Sequence, residues 1–208
     1  MFKSLVLIAF LISGCSGVGN YETPDYKVIR TDGAIEIRQY APVLYATVKV
    51  EGEQQDAIRK GFRILADYIF GNNQPTKDIA MTTPVTQTAD TRTTIAMTTP
   101  VTQQSDGQAW RVRFAMPREY TKDTLPKANN PAIELYETPP KTYVAIQFSW
   151  FASPERLAAN RELLQQYVAA NKLKVIGPEV LAFYDPPWTL PWWRRNEVMF
   201  EIKELSAE

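Results

Sequence analysis

The sequence predicts an α+β fold built from two strand–strand–helix–strand–strand halves that share one sheet system. The first observation is periodicity: segments that alternate apolar and polar residues, the period of a strand, surround two segments with helical spacing. The second is an internal repeat, in which IEI at 35–37 lines up with IEL at 133–135, an offset of 98 positions. At the same offset Tyr45 meets Tyr143, and each copy then enters a predicted helix. Repeats of this kind share a core and are not separate domains.

The first half begins with a predicted hairpin at 26–40. Its turn falls at Asp32-Gly33, a residue pair typical of tight hairpin turns, and a further strand follows at 43–50. A helix is predicted over 53–70 and ends before Gly71. Four apolar residues fall on one face of that helix: Ile58, Phe62, Leu65 and Ile69.

The region 78–117 is rich in Thr, Val and Met and is predicted to form several strands. It contains the sequence IAMTTPVTQ twice, at 79–87 and at 95–103. The offset of 16 residues is close to the length of a hairpin, so the duplication predicts one additional pair of strands. Met81 and Met97 occupy equivalent positions in the two copies, and methionine in a strand usually fills a core.

The second half repeats the pattern of the first. Alternation predicts strands at 133–150, and Ser153-Pro154-Glu155 is a typical helix start, because Ser caps, Pro fits the first turn and Glu favours the dipole. That helix is predicted to run to about Asn171. Closing strands are predicted at 180–184 and 197–202.

Composition excludes several kinds of site. The chain of 208 residues has no histidine and one cysteine. Ser-His-Asp triads, Cys-His dyads, histidine-rich zinc sites, histidine-ligated haem and intramolecular disulfides are therefore excluded. Basic and acidic residues balance at 23 each without long runs of one sign, so no nucleic-acid partner is expected. Because no glycine-rich phosphate loop, HExxH or GxSxG motif occurs, the protein is predicted not to be an enzyme.

The N-terminus has the pattern of an export signal. Lys3 precedes eight apolar residues at 5–12, too few to span a bilayer, and ISGC at 12–15 resembles the lipobox of bacterial lipoproteins. The resemblance implies removal of a signal peptide at 1–14 and lipidation of Cys15, with 15–25 as a tether. Ser16 follows the cysteine where Asp is associated with inner-membrane retention, so a lipid anchor in the outer membrane, facing the periplasm, is expected. A plain secretory signal is the alternative.

Four stretches together resemble the SOUL haem-binding family, in the family's order and spacing. They are IEIRQYAPVLYATVKVEG at 35–52, GFRILADYIFGNN with KDIAMTTPVTQ at 61–87, VRFAMPREYTKDTLP at 112–126 and GPEVLAFYDPPWTLPWWRRNEV at 177–198. The resemblance implies a domain at 26–203. It also implies an antiparallel, strongly twisted β-barrel with one helix of each half on its outside.

The resemblance further implies that haem or a related tetrapyrrole binds in a hydrophobic groove beside the first helix. Some animal members carry an axial histidine where this chain has Gln39, so ligation by histidine is not expected. Arg59, Phe62, Arg63 and Trp188 are predicted to line the groove, with the arginines holding propionates. The competing interpretation is that Phe62 is core and that Trp188 belongs to a proline-rich lid.

The function expected from sequence is non-enzymatic binding of haem at the cell envelope. Two alternatives remain open: a binding module for another hydrophobic ligand such as a lipid, and an enzyme that acts on haem, for instance by removing its iron. Arg194 and Arg195 are expected to pair with acidic side chains and to fix the last strand. Protein partners are not predicted.

Overall fold

The computed structural model describes residues 21–89 and 109–203. The predicted signal peptide, Cys15 and the second IAMTTPVTQ copy lie outside the described residues. The first half contains β1 Tyr26–Asp32, β2 Ile35–Tyr40, β3 Val43–Glu51, α1 Gln54–Ile69, β4 Asn73–Gln74, β5 Val85–Ala89, β6 Ala109–Ala115 and β7 Lys127–Ala128. The second half contains β8 Ile133–Thr138, β9 Lys141–Phe148, α2 Pro154–Ala170, β10 Val175–Phe183 and β11 Asn196–Ile202.

Nine strands form one antiparallel sheet in the order β1-β2-β9-β11-β10-β5-β6-β3-β8, and β4 pairs separately with β7. The α+β prediction, with a curled antiparallel sheet and two helices, is confirmed. Closure of the barrel is partial. In the described part of the chain the strand order ends at β1 and β8, so the sheet is a half-barrel.

The repeat at an offset of 98 is reproduced in the register of the sheet. Tyr45 of β3 lies opposite Tyr136 of β8, and Tyr143 of β9 lies opposite Arg38 of β2. Tyr143 lies 98 positions after Tyr45, and Arg38 lies 98 positions before Tyr136, so the second pair is the first with the two halves exchanged. β2 therefore pairs with β9, and its counterpart β8 pairs with β3, so that the two halves are joined by strand exchange.

Each helix covers its own apolar cluster on one face of the sheet. Beneath α1 lie alternate residues of β3 and β6, among them Ala46, Val48, Val112 and Phe114. Beneath α2 lie alternate residues of β2, β9, β10 and β11. α1 approaches β6 closely at Gly61, where an added Cβ would lie 2.6 Å from the Cβ of Val112.

The opposite face of the sheet is concave, because a single cavity there is lined by strands from both ends of the sheet order. Side chains alternate between faces along each strand, so this face receives the residues that the helices do not cover. Many are polar or aromatic: Arg38, Tyr40, Tyr45, Arg113, Tyr136, Lys141, Tyr143 and Glu197.

The bounds of the elements differ from the predictions in one informative place. β10 begins at Val175, five positions before the predicted start. Its pairing with β11 is irregular between Val175 and Glu179. A bulge interrupts the alternation that marks a strand, which is why the sequence pattern missed this part. The predicted start of α2 is confirmed, since Ser153 Oγ accepts a hydrogen bond from the backbone N–H of Arg156.

Candidate functional site

An apolar strip runs along the outer side of α1. Ile58, Phe62 and Ala66 recur every four positions, which places them in a row on the helix, and Phe70 follows at the C-cap of α1. Phe62 is 37% exposed and Phe70 is 66% exposed, whereas Ile58 and Ala66 are half-buried. We call these four residues the α1 strip. Phe70 was not among the predicted site residues, although its spacing of eight from Phe62 was a signal that could have found it.

Two arginines lie beside the α1 strip. Arg59 is exposed and donates a hydrogen bond to Asp56 at 2.5 Å. Arg63 is exposed, one turn further along the helix. The Phe62 ring packs its edge on the buried ring of Phe114, with 5.3 Å between the ring centroids. Phe62 therefore has one side in contact with the core and another open to a ligand, which combines features of both sequence interpretations.

Trp188 lies on the loop that joins β10 to β11, and it is 76% exposed. That loop packs against the segment before α2. The backbone N–H of Trp150 donates to the carbonyl of Pro191 at 2.7 Å, and Asn196 Nδ2 donates to the carbonyl of Trp150 at 2.8 Å. The structure thus brings Arg59, Phe62 and Arg63 together on α1. It describes no hydrogen bond, ion pair or ring contact between Trp188 and these three.

The same loop and the segment before α2 form an exposed aromatic surface, which we call the tryptophan patch. Trp150, Trp192 and Trp193 form a chain of edge contacts with 6.4 Å between successive centroids. The patch consists of exposed large apolar residues: Trp150, Phe151, Trp188, Leu190, Trp192 and Trp193. Large exposed apolar surfaces on soluble domains commonly mark interaction sites.

A buried ionic cluster occupies part of the concave face. Arg38 donates two hydrogen bonds to the carboxylate of Glu197, at 2.8 and 3.0 Å, and Arg195 donates two more, at 2.7 and 3.0 Å. Tyr184 Oη donates a fifth at 2.8 Å. Burial alone would raise the pKa of Glu197, but the hydrogen bonds and charges of Arg38 and Arg195 hold it below its usual value.

The cluster accounts for one of the two arginines predicted to pair with acidic groups. Arg195 does so, and its backbone N–H also donates to Asp185. Arg194 instead donates to the backbone carbonyls of Thr189 and Pro187, and it lies over the Phe151 ring at 4.7 Å. The expectation was therefore wrong for Arg194, because the turns of the proline-rich loop point free carbonyls at its guanidinium.

Two cavities are described, and neither lining includes a residue of α1. One has a volume of about 30 Å³ and lies on the concave face, where Tyr40, Tyr45, Arg113 and Tyr143 contribute to its walls. The other, of about 270 Å³, lies between 22–25 and 115–121. Neither of these two cavities is therefore the groove predicted beside the first helix.

Gln39, in the position where some family members have a ligating histidine, lies on β2 between β1 and β9. By alternation it shares the side of β2 that holds Ile35 and Ile37, which pack in the core beneath α2. Gln39 is thus in the half of the sheet away from α1.

In 21–89 and 109–203, no group of three or more His, Cys, Asp or Glu residues could hold a metal ion. No helix of those ranges is long and apolar enough to cross a membrane.

Comparison with known proteins gives a family match. The model of the SOUL heme-binding protein family matches residues 21–201. Human Heme-binding protein 2 is 40% identical over 70 residues, which cover 31% of this chain and 34% of that protein. The chain thus spans about a third of the length of this curated relative.

Solved structures of low sequence identity share the fold. The C-terminal domain of EcmrR is 11% identical, with a TM-score of 0.58 over 86% of this chain and 99% of that one. A hydrolase from Listeria innocua is 11% identical, with a TM-score of 0.53 over 84% of this chain and 94% of that one. At such identity the likeness concerns the fold alone.

Proposed function

The chain belongs to the SOUL heme-binding protein family, and from this premise we propose that it binds haem or a related tetrapyrrole without enzymatic turnover. The proposed binding surface is the α1 strip with Arg59 and Arg63. The proposed location is the bacterial cell envelope, where a lipid on Cys15 would anchor the chain to the outer membrane.

The single observation that carries the proposal is the exposure of two phenylalanine rings, Phe62 on α1 and Phe70 at the residue that caps its C-terminal end. A planar macrocycle can pack on Phe62 and Phe70 while its propionates reach the guanidinium groups of Arg59 and Arg63. α2 is the counterpart of α1 in the other half; it exposes Leu163 but no aromatic ring, and its C-cap residue is Asn171. The feature is therefore specific to the first helix.

Binding on this surface would involve weak axial ligation of the iron. The chain has no histidine, and Gln39 lies in the other half of the sheet. We expect haem spectra without the signature of low-spin iron held by two nitrogen ligands. Because Gln39 is not near the α1 strip, Gln39→His is expected to leave both spectrum and affinity unchanged.

The decisive experiment is a haem titration followed by Soret absorbance. Burying an aromatic side chain against a ligand contributes about 1.5–3 kcal/mol, so Phe62→Ala is expected to weaken binding about tenfold or more. The matched control is Leu163→Ala, which removes an exposed apolar side chain from α2. Arg63→Ala should have a smaller effect that decreases with added salt, since an exposed ion pair contributes about 0–1 kcal/mol.

Phe62 also contacts Phe114, so stability is measured in parallel by urea unfolding. A loss of stability together with unchanged affinity of the folded fraction would show that Phe62 serves the core and that the surface is elsewhere. Equal losses of affinity in Phe62→Ala and Leu163→Ala would likewise contradict the proposal.

The envelope location is tested at Cys15. The sequence ISGC after eight apolar residues supports lipidation there. Expressed in a bacterium with a labelled fatty-acid analogue, the chain is expected to carry label and to sediment with membranes. Cys15→Ser should abolish both properties, and a variant that stays labelled and membrane-bound would contradict the assignment.

A second candidate function, binding of a lipid, is favoured by the tryptophan patch. Exposed aromatic rings beside arginines, Trp150 with Arg156 and Phe151 with Arg194, suit the interface of a bilayer. Vesicles of phosphatidylethanolamine and phosphatidylglycerol should then shift the tryptophan emission to the blue, and Trp192→Ser with Trp193→Ser should reduce the shift. A protein that only binds haem or a lipid differs from an enzyme that acts on haem in one measurement. Haem added to the protein should be recovered chemically unchanged after incubation.

A further inference from the structure

The concave face holds a cation, Arg113, that has no acidic partner among the described residues. Arg113 of β6 is half-buried and lies over the Tyr45 ring at 5.3 Å. Its Nη1 donates to Tyr136 Oη at 2.9 Å, and its Nη2 donates to Thr88 Oγ1 at 2.9 Å. Both acceptors are neutral. Its Nε is buried and has no hydrogen-bond partner.

No carboxylate of the described ranges pairs with Arg113, whereas neighbouring cations on the same face have acidic partners. Arg38 and Arg195 pair with Glu197, and Lys141 pairs with Glu201 at 2.6 Å. Removing a charge from water without a counter-charge is costly. The partner that would offset this cost for Arg113 is not supplied by its own half of the sheet.

The internal repeat shows how this half of the sheet differs from the half that contains Glu197. In the second half, β9 places Gln147 opposite Glu197, and the corresponding pair in the first half is Lys49 opposite Arg111. The position of the carboxylate is therefore taken by a second arginine. The backbone of the two halves is repeated, but the buried carboxylate of Glu197 is replaced by Arg111, whose own partner is Glu134, and no carboxylate of the described residues is left beside Arg113 in this half.

A second polar group points to the same place. Thr86 lies opposite Arg113 in the pairing of β5 with β6, and its Oγ1 is buried without a hydrogen-bond partner. Both residues line the cavity of about 30 Å³ on the concave face. That volume is roughly twice what one water molecule needs, which suits the two oxygens of a carboxylate.

The other residues that line the cavity indicate the chemistry of the rest of the ligand. Val43, Val180 and Met199 are apolar, and Tyr40 and Tyr143 contribute rings. The cavity admits no more than a small head group, so an apolar body would extend past these side chains. Charge complementarity selects an anion, and the free Nε–H with the Thr86 hydroxyl favours a planar acceptor pair.

We propose that the concave cavity binds the carboxylate of an amphipathic organic acid, held by Arg113 and Thr86. This site is separate from the α1 strip and does not depend on haem binding there. Two sources have the required chemistry, a fatty acid and a tetrapyrrole propionate, and the experiment separates them.

The test uses calorimetric titration of the full chain with dodecanoate, and with dodecanol as the probe that lacks the carboxylate. We expect dodecanoate to bind at least tenfold more tightly than dodecanol. Arg113→Gln should weaken dodecanoate binding tenfold or more. The matched control is Arg111→Gln. Arg111 lies on the same strand, but its Nη1 lies 3.6 Å from a carboxylate oxygen of Glu134. This substitution should change the affinity for dodecanoate less than twofold.

Thr86→Val is a second variant that should fold even if Arg113→Gln does not. The hydroxyl has no partner in the structure, so its replacement by a methyl group removes no hydrogen bond from the protein. We expect dodecanoate binding to weaken several-fold in this variant. Equal binding of dodecanoate and dodecanol, or unchanged dodecanoate binding in Thr86→Val and in folded Arg113→Gln, would overturn the proposal.

The source is identified with haem and haem dimethyl ester. If a propionate is the natural head group, Arg113→Gln weakens binding of haem and leaves binding of the ester unchanged. If a fatty acid is the source, Arg113→Gln leaves haem binding unchanged while dodecanoate binding is lost. Phe62→Ala should leave dodecanoate binding intact, so failure at the α1 strip and failure at the concave cavity are distinguishable.

Discussion

Glu197 connects β2 to both ends of the loop between β10 and β11. Its side chain has no exposed surface, and it accepts hydrogen bonds from Arg38 of β2, from Arg195 before β11 and from Tyr184 after β10. Removing one member of a buried ion pair leaves the other charge buried and uncompensated, which costs about 3–5 kcal/mol. The cluster is therefore a point at which small chemical changes have large effects on stability.

Glu197→Gln is expected to lower the free energy of unfolding by about 3–5 kcal/mol at pH 7. Because the pKa of Glu197 is lower in the folded chain than its ordinary 4.5, the stabilisation is present above that pH and is lost as the pH falls further. The difference between the two proteins should therefore shrink in urea unfolding at about pH 3.5.

Asp25→Asn serves as the control for that measurement. Asp25 pairs with Arg118 at an exposed position, so its loss should change stability by less than about 1 kcal/mol. A difference between Glu197→Gln and the unmodified chain that is equally large at both pH values would show that the carboxylate charge is not the source of the stabilisation.

Sequence reasoning at the scale of residues identified side-chain types but not partners. Arg195 was expected to bind an acidic group, and it does. Arg38 and Glu197 are 159 positions apart, and nothing in either neighbourhood indicates the other. The unpaired Arg113 was not predicted for the same reason, since a missing partner is visible only after the strands have been placed.

At the scale of elements, α1 and β6 meet through a small residue. A Cβ at Gly61 would lie 2.6 Å from Val112 Cβ, closer than two carbon atoms can approach without movement of the helix. Gly61→Ala is expected to lower stability by about 1–3 kcal/mol through overpacking, more than the gain of up to about 1 kcal/mol from better helix propensity.

The control for Gly61→Ala is Gly177→Ala in β10. The stability of both variants is measured by thermal and urea unfolding. There the added carbon would meet Glu201 at 3.3 Å, and Glu201 can shift by a few tenths of an ångström. We expect a much smaller change for Gly177→Ala. A Gly61→Ala variant as stable as the unmodified chain would mean that α1 can move away from β6 at little cost.

The elements themselves were largely predictable. Both helices were placed within one or two residues of their bounds, because apolar spacing and end signals are local properties of the sequence. The hairpin of β1 and β2 was found from its Asp32-Gly33 turn. The contact of the tryptophan loop with the start of α2 was not, because neither segment carries a pattern that specifies the other.

For the molecule as a whole, strand exchange makes the two halves interdependent. β2 completes the sheet beneath α2, and β8 completes the sheet beneath α1. A chain cut between Asn129 and Asn130 should give two pieces that do not fold alone and that form the native sheet when expressed together. The measurement is amide NMR dispersion of each piece and of the mixture.

A piece with dispersed resonances and cooperative unfolding by itself would contradict this expectation. Two copies of one half can in principle exchange strands with each other, so the mass of each piece in solution is measured as a control.

The sequence repeat predicted two halves in one sheet. It did not predict which strands pair, because the alternation of β2 and β3 would equally suit pairing of these two strands with each other. Tertiary packing settles the choice of a distant partner.

The repeated register has a consequence for how such a chain can change over generations. The strands β2 and β3 have counterparts 98 residues away in β8 and β9 that occupy equivalent backbone environments, as Tyr45 and Tyr143 do. One twin can retain the chemistry that stability requires while the other accumulates substitutions, in the way that duplicated genes diverge. The charge that Glu197 provides in one half and Arg111 replaces in the other is what such divergence leaves behind, and it is at this difference that a new specificity can arise without loss of the scaffold.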